Sequence, residues 1–299
     1  MNHELIGLSD ELSEAVASAS AFTVGVNGRN SYGSTGIAWG GGVIVTADHT
    51  LERDDDIAVM LPDTADTPDT ADTAAILVGR DPANDLAVLR AECNLPPPPR
   101  AGDIRVGTLT LAIGRGTGRN VSASLGIVSA IGEPRHRRGG RVADGLIRPD
   151  LTMYPGYSGG PLVTVSGTLI GINTSRLGGG ALTIPATTVD LVVEQILAHG
   201  RIRRAYLGLT SQPVRLAPQQ AASAGQETAL VVVGVEEGSP SEVAGIIVGD
   251  VLTTFDDQPI RDTDDLRTGL SAAAAGKQVS VRVIRGHEVR QLAVTIGER

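Results

Sequence analysis

The sequence predicts a mostly-β protein in two parts: a first domain that reads as a β-barrel or sandwich, then a small mixed α+β domain. Three observations carry this. The chain has 299 residues, which is about two domains at ~150 residues each. Between Phe22 and about Ile184, short runs of β-branched and aliphatic residues are broken by Gly, Pro, Asn and Asp, the punctuation of many short strands. After an Arg-rich connector at 201–204, strand-like runs are interleaved with two short helical patterns.

The elements follow in order. Leu8 to Ala19 reads as an amphipathic lead-in helix, with Ser9 as its N-cap and Leu12, Val16 and Ala19 on one stripe. The strand runs are FTVGV, GIAWGGGVIVTA, DIAVML, AAILVG, DLAVLR, LTLAIG, LGIVSAIG, TLIGIN and ALTIP. A helix carrying Val189, Val192, Val193, Ile196 and Leu197 follows, and Gly200 is its natural stop. The expected division is therefore a lead-in over 1–20, a first domain over 21–200 and a second over 201–299. In the second domain, strands are expected at YLGL, ALVVVGV, VLTTFDD, QVSVRVIR and VRQLAVTI, with helices at Ser241–Ala244 and Thr263–Leu270. The Asp/Thr tract at 64–73 reads as a solvated loop, and Pro96–Pro99 as a stiff spacer.

Composition removes several function classes. Hydrophobic residues make up 41% and charged residues 20%, with a mean hydropathy of +0.06, an ordinary globular balance. Aromatic residues are only 2%: two Phe, one Trp and four Tyr. That is too few rings for a stacking platform for sugars or single-stranded nucleic acid. Net charge is −9, and Lys277 is the single Lys beside 24 Arg, so a nucleic-acid partner is not expected. Cys93 is alone, which leaves no intramolecular disulfide and no Cys-based zinc site; no metal is expected. The N-terminal residues carry acids where a secretory leader has a basic stretch, and no 18-residue apolar run occurs. The expectation is a cytoplasmic protein with no membrane partner.

Three segments carry the chemistry. VIVTADHTL puts His49 just past an apolar strand, DPANDLAVLR puts Asp85 at the head of another, and YPGYSGGPL puts Ser158 in a Gly-bracketed turn. A serine hydroxyl is a weak nucleophile at neutral pH. It needs an imidazole to take its proton and a carboxylate to hold that imidazole in the right tautomer. The glycines around Ser158 allow a tight backbone in which the Gly156 and Ser158 amides point at one spot, an oxyanion hole. Each segment alone is commonplace, but together, in the order His, Asp, Ser, they match the two-barrel serine proteases.

With those residues in view, GGGVIVTADHTL, VGRDPANDLAVLR, LTLAIG, LGIVSAIG, YPGYSGGPLV, GTLIGINTS, ALTIPATTVDLVVEQIL and RRAYLGL resemble the HtrA/Deg family of trypsin-fold serine proteases. The resemblance implies a chymotrypsin-like double β-barrel followed by a PDZ domain, and peptide-bond hydrolysis of unfolded or misfolded polypeptides with no cofactor. It assigns His49 as general base, Asp85 as its orienting carboxylate and Ser158 as nucleophile, with Gly156 and Ser158 as oxyanion donors. Asn173, Thr174 and Ser175 lie where the family pairs substrate backbone. Thr152, Asn173, Leu182 and Thr183 would line the primary specificity pocket; none is acidic, so a small or medium apolar side chain is expected there. The resemblance also implies a homotrimer through the region around Phe22 and Tyr32.

Two positions depart from the family. Tyr157 stands where Asn is usual, beside the nucleophile, and Asp48-His49-Thr50 replaces Asn-His-Val. They define one rival reading, a binding or chaperone-like scaffold that has lost turnover; a non-proteolytic esterase is another. Tyr206, Leu207, Gly208 and Leu209 resemble the carboxylate-binding loop of PDZ domains, where consecutive amides capture a peptide C-terminus and the following strand pairs with it. RHRRGGR at 135–141 reads as a solvated basic loop or part of a mobile activation loop. GRGTGRN at 114–120 mimics a phosphate loop but lacks its Lys-Ser/Thr ending.

Overall fold

The computed structural model describes residues 2–29, 33–62, 72–116, 120–132, 136–137, 140–141, 145–177, 180–202, 205–272 and 275–298. Tyr32, most of the Asp/Thr tract, and residues 135, 138 and 139 of the basic loop lie outside the described residues. Two compact units are present, Met1–Ile202 and Arg203–Arg299.

The lead-in helix α1 spans Asn2–Ser20, so Ser9 sits inside it rather than capping it. The expected stripe is buried: Ala15 and Ala19 enter the core, with Leu12 and Val16 packed against it. Then come β1 (Thr23–Asn27), β2 (Ser34–Gly40), β3 (Val43–Thr46), β4 (Ile57–Met60), β5 (Thr73–Asp81) and β6 (Leu86–Ala91). They close into an antiparallel barrel in the order β1-β2-β3-β6-β5-β4. The β2–β3 hairpin turns through Gly40, Gly41 and Gly42, all at positive φ, a conformation that costs glycine little.

A second closed barrel is built from β7 (Leu109–Gly114), β8 (Ser122–Ile131), β11 (Ile147–Asp150), β12 (Pro161–Thr164), β13 (Leu169–Thr174) and β14 (Leu182–Pro185). Its order is β11-β14-β13-β12-β7-β8. Between β8 and β11 lies a two-residue ladder of β9 (His136–Arg137) and β10 (Gly140–Arg141). Helix α2 (Ala186–His199) ends at Gly200, whose left-handed backbone lets its N–H reach the Ile196 carbonyl. Val189, Val192, Val193 and Ile196 are buried as expected, while Leu197 is exposed.

One continuous core runs through the first barrel, α2 and part of the second barrel. A satellite of Ala112, Val128, Ile147, Tyr157, Leu162 and Ile170 fills the rest of the second barrel. Phe22 belongs to the continuous core, only 2% exposed. Its ring packs within the chain. Pro96–Pro99 is more than a spacer: the Pro99 carbonyl accepts from Leu169 N–H at 2.7 Å and docks the inter-barrel connection on β13. Beside it Arg100 lies 3.9 Å over the Trp39 ring, and both side chains donate to Asp190 of α2.

The second unit contains β15 (Ala205–Tyr206), β16 (Leu209–Arg215), α3 (Pro218–Ala224), β17 (Thr228–Val235), α4 (Pro240–Val243), β18 (Val251–Phe255), β19 (Gln258–Pro259), α5 (Thr263–Ala272), β20 (Gln278–Arg285), β21 (Glu288–Thr295) and β22 (Gly297–Glu298). The main sheet runs β16-β17-β18-β20-β21, so β16 is an edge; β19 adds to β18, and β15 pairs with β22. Helix α4 is capped by Ser239, whose hydroxyl accepts from Glu242 N–H. Asp262 caps α5 by accepting from the Asp264 and Asp265 N–H groups, both at 2.9 Å.

The buried charge of this unit is Asp250, fully enclosed and held by Arg285 through two bonds of 2.8 Å and by Ile247 N–H at 3.0 Å. Burial alone would raise its carboxyl pKa; the Arg285 fork and the Ile247 amide outweigh that and hold it below the ordinary value. A depressed carboxyl contributes stability that is complete above the unfolded-state pKa and is lost as pH falls through the folded one. Asp250→Asn is therefore expected to lower the unfolding midpoint of this unit near neutral pH. Its difference from wild type should shrink steadily on acidification below about pH 4, as followed by thermal melts of the full chain; a difference independent of pH would contradict the assignment.

Candidate active site

The first barrel supplies an acid–base pair. After β3, residues Asp48–Thr50 form a single 3₁₀ turn, held by the Thr50 hydroxyl and N–H donating to the Ala47 carbonyl. His49 lies on that turn. Asp85, immediately before β6, has φ 55, a left-handed conformation that Asp tolerates better than most residues. In that pose it faces the turn. Its Oδ1 accepts the His49 backbone N–H at 2.9 Å, its Oδ2 lies 2.7 Å from His49 Nδ1, and its own carbonyl accepts Asp48 N–H at 3.2 Å. An ionised carboxylate only accepts, so Nδ1 carries the proton and Nε2 is left as the base.

The second barrel completes the carboxylate's shell. The Thr174 hydroxyl, at the end of β13, donates to Asp85 Oδ2. Thr174 was read as part of the substrate-pairing strand; its side chain instead belongs with the acid–base pair, fully buried. Nothing in the local pattern marks it, since Thr is an ordinary strand residue.

The Asp48 carboxylate, next in sequence to the imidazole, is occupied by another partner: Arg80, at the end of β5, donates to Asp48 Oδ1 at 2.7 Å and to Asp54 Oδ1 at 2.6 Å. The same guanidinium also reaches the carbonyls of Asp48, Leu51 and Arg53. Burial tends to lower the Arg80 pKa, but its two carboxylate partners raise it overall. The residues following His49 are thus tied to β5 by one planar fork.

Ser158 is half-buried between β11 and β12. Its Oγ lies 3.2 Å from the Ser175 hydroxyl, and among the described residues it makes no hydrogen bond to His49. The structure therefore joins His49, Asp85 and Thr174, and sets Ser158 against Ser175. Ahead of it, Tyr157 N–H donates to the Tyr154 carbonyl at 3.1 Å, closing a four-residue turn. Gly156 stands third in that turn with φ 91, which makes it type II and flips its central peptide relative to type I. Among the described residues, neither Gly156 N–H nor Ser158 N–H has an acceptor.

Gly159 is required on two grounds. It has φ 85, and a Cβ there would sit 2.0 Å from the Thr35 carbonyl oxygen and 2.9 Å from Ala47 N. The serine turn thus packs directly onto the ends of β2 and β3. Tyr157 points into the second barrel's satellite core, 2% exposed, its ring edge-on to Tyr154 at 5.6 Å. A Cβ on Gly114 would strike that ring at 2.3 Å, so a glycine on β7 makes the room. The phenol hydroxyl is buried and, among the described residues, meets no partner at hydrogen-bonding geometry. Burial raises its pKa, offset in part by the nearby Ser122 hydroxyl, which is itself donated to the Gly114 carbonyl.

Of the residues expected around a specificity pocket, Asn173 and Thr183 are fully buried and satisfy each other at 2.8 Å, with Asn173 also donating to the Pro161 carbonyl. Leu182 is buried. Thr152 is exposed, its N–H given to Ser124 Oγ at 3.2 Å. In the second unit, Leu207 is a core residue whose carbonyl accepts Ser241 N–H. Gly208 has φ 75, and a Cβ there would meet Ser239 Cβ at 2.2 Å. The Tyr206 hydroxyl donates to Glu236, and Leu209 begins the edge strand β16. Among the described residues, no group of three or more His, Cys, Asp and Glu is placed to hold a metal ion, and no helix is long and apolar enough to cross a membrane.

The family model of the trypsin-like peptidase domain matches residues 34–172, and that of the PDZ domain residues 205–296. A probable periplasmic serine endoprotease DegP-like of Brucella suis biovar 1 (strain 1330) is 32% identical over 270 residues, covering 85% of this chain and 50% of the relative. Its counterpart in Pseudomonas fulva (strain 12-X) is 31% identical over 276 residues, covering 89% and 56%. The chain thus spans about half the length of the curated relatives it matches. Among solved structures, the HtrA-type protease AlgW with tripeptide is 31% identical with a TM-score of 0.73, covering 96% of this chain and 97% of that one. The serine endoprotease from Yersinia pestis is 26% identical with a TM-score of 0.77, covering 96% and 98%.

The setting of Tyr157 separates its ring from its hydroxyl. Tyr157→Phe removes an unpartnered buried hydroxyl and is expected to keep stability within about 1 kcal/mol of wild type or improve it. Tyr157→Ala empties the satellite core and should cost about 3–5 kcal/mol. Denaturant unfolding of the full chain measures both, and a large loss in the Phe variant would mean that the hydroxyl has a partner.

Proposed function

We propose that this chain, which belongs to the HtrA/Deg family of trypsin-like serine endoproteases with a C-terminal PDZ domain, hydrolyses internal peptide bonds of unfolded or misfolded polypeptides through His49, Asp85 and Ser158. The observation that carries the reading is the Asp85 carboxylate holding Nδ1 of His49 at 2.7 Å, together with a serine turn whose Gly156 and Ser158 amides have no acceptor among the described residues.

Asp85 keeps the proton on His49 Nδ1, so Nε2 takes the proton of Ser158 Oγ as that oxygen bonds to the scissile carbonyl carbon. The carbonyl electron pair moves onto oxygen, and Gly156 N–H and Ser158 N–H receive the resulting oxyanion. Collapse of the intermediate breaks the C–N bond, and His49 gives its proton to the departing amine. Water then repeats the sequence on the acyl-enzyme and restores Ser158. For the first step Ser158 leaves its Ser175 partner by rotation about χ1, at a cost of about 1 kcal/mol for a neutral hydroxyl bond.

The finer assignments rest on the same reading. The backbone of Asn173, Thr174 and Ser175 pairs the substrate, and a pocket over Thr152, Asn173, Leu182 and Thr183 with no carboxylate favours a small apolar residue such as Val or Ala. Tyr206, Leu207, Gly208 and Leu209 take a peptide C-terminus, which extends along the free edge of β16. A homotrimer is part of the proposal. The relatives are named periplasmic, and the cytoplasmic placement stands beside that as the alternative compartment.

A fluorophosphonate probe should label the wild type and not Ser158→Ala, and casein should be degraded by the wild type alone. Asp85→Asn should lower kcat by about 10⁴ with the fold intact, because the wrong tautomer is then favoured. A folded wild type that takes no label would favour the scaffold reading, and ester turnover with intact casein would favour an esterase.

A further inference from the structure

Thr35, on β2 of the first barrel, is fully buried and bonded to both sides of the nucleophile. Its backbone N–H donates to the Ser158 carbonyl at 3.2 Å. Its hydroxyl donates to the Gly156 carbonyl at 2.6 Å and accepts from Arg115 N–H at 2.8 Å and Gly116 N–H at 3.3 Å. A hydroxyl offers one donor and two acceptor sites, and all three are in use. The rotor is therefore locked. Its own carbonyl is held by the Thr46 hydroxyl at 2.7 Å, so the residue is fixed from four directions.

The Gly156 carbonyl belongs to the peptide that lies between the two unpaired amides of the serine turn. The other end of that peptide, Tyr157 N–H, is bonded to Tyr154. With both ends fixed, the plane of the Gly156–Tyr157 peptide is set, and with it the pivot about which the Gly156 N–H turns; the next peptide, which carries the Ser158 N–H, is held separately by Gly160 N–H on the Tyr157 carbonyl at 3.0 Å. We propose that Thr35 is a positioning residue for the oxyanion hole: its hydroxyl spaces the Gly156 carbonyl from the Arg115 and Gly116 amides and so holds the peptide on which the aim of the Gly156 N–H turns, while its backbone N–H holds the Ser158 carbonyl. This rests on the serine-protease reading above. It also gives the Gly-rich stretch at 114–116 a role, as a pair of backbone donors anchored by Arg115 Nε on the Thr23 carbonyl at 2.9 Å.

Removing the hydroxyl leaves a buried carbonyl facing the buried Arg115 N–H and the half-buried Gly116 N–H with nothing between them. Those groups are complementary, and their direct approach rotates the Gly156–Tyr157 peptide. A misplacement near 1 Å in a catalytic site costs on the order of 10²-fold in rate. Thr35→Val is expected to lower kcat on a peptide substrate by ~10- to 100-fold, less than the ~10²–10³ for losing an oxyanion donor outright, with KM moving less than about 3-fold. Affinity for a peptide boronate, whose tetrahedral adduct carries the oxyanion, should fall with kcat/KM. Thr35→Ser, which keeps the hydroxyl and loses only the methyl, should recover kcat to within about 3-fold of wild type. Where Thr35→Val does not fold, as judged by its melt, Thr35→Ala carries the same expectation.

Wild-type kcat in the hydroxyl-free variant, an equal loss in Thr35→Ser, or an effect confined to KM would each overturn the proposal. A folded wild type without peptidase activity or probe labelling would instead sink the protease reading on which it rests.

Discussion

The buried carboxylate of Asp85 is the interaction on which the arrangement depends. An ionised carboxylate enclosed by protein is tolerated only where hydrogen bonds replace its lost hydration. Here three donors converge on it: the backbone N–H and Nδ1–H of His49 from the first barrel and the Thr174 hydroxyl from the second. Neither barrel satisfies the charge alone. The same requirement that fixes the histidine tautomer therefore also favours the closed arrangement of the two barrels, and acid–base chemistry and tertiary packing share one set of bonds.

Close approach of backbones makes that convergence possible. Gly159 and Gly160 place the serine turn against the Thr35 carbonyl and the Ile113 carbonyl, where a Cβ would stand at 2.0 and 2.2 Å. Tyr157 is the opposite case. A large ring beside the nucleophile is accommodated because Gly114 on the neighbouring strand leaves a space of matching shape, and the ring then serves the satellite core. With only seven aromatic residues in the chain, Val, Ile, Leu and Ala carry most of the packing, and Tyr157 brings a large ring into the satellite core beside the serine turn.

How much of this is legible in the sequence follows from the range of each interaction. His49, Asp85 and Ser158 stand at strand ends and in a Gly-bracketed turn, so local punctuation marks them, and their order in the chain gives the type of arrangement. The six-stranded barrels follow from the strand runs and from the resemblance. Thr174, Arg80 and Thr35 are invisible to that kind of reading, because each acts on a residue at least 32 positions away and each is an unremarkable residue for a strand. Helix α3 is missed for a related reason, since PQQAASA has none of its residues buried and so no apolar stripe to betray it.

The groups that tie the barrels together at the site are mostly hydroxyls rather than charges. Thr35, Thr174 and Ser175 all bond across it or beside the nucleophile, whereas the charged fork of Arg80 stays within the first barrel. A hydroxyl donates and accepts from one atom and loses less on burial than an ion. Small rotations can therefore exchange its partners at a cost near that of one neutral hydrogen bond, about 1 kcal/mol. The proposed mechanism needs a rigid base and a nucleophile that can move. The bonding suits that division, with the imidazole clamped by a carboxylate and an Arg-tied turn, and Ser158 held by a hydroxyl it can readily leave.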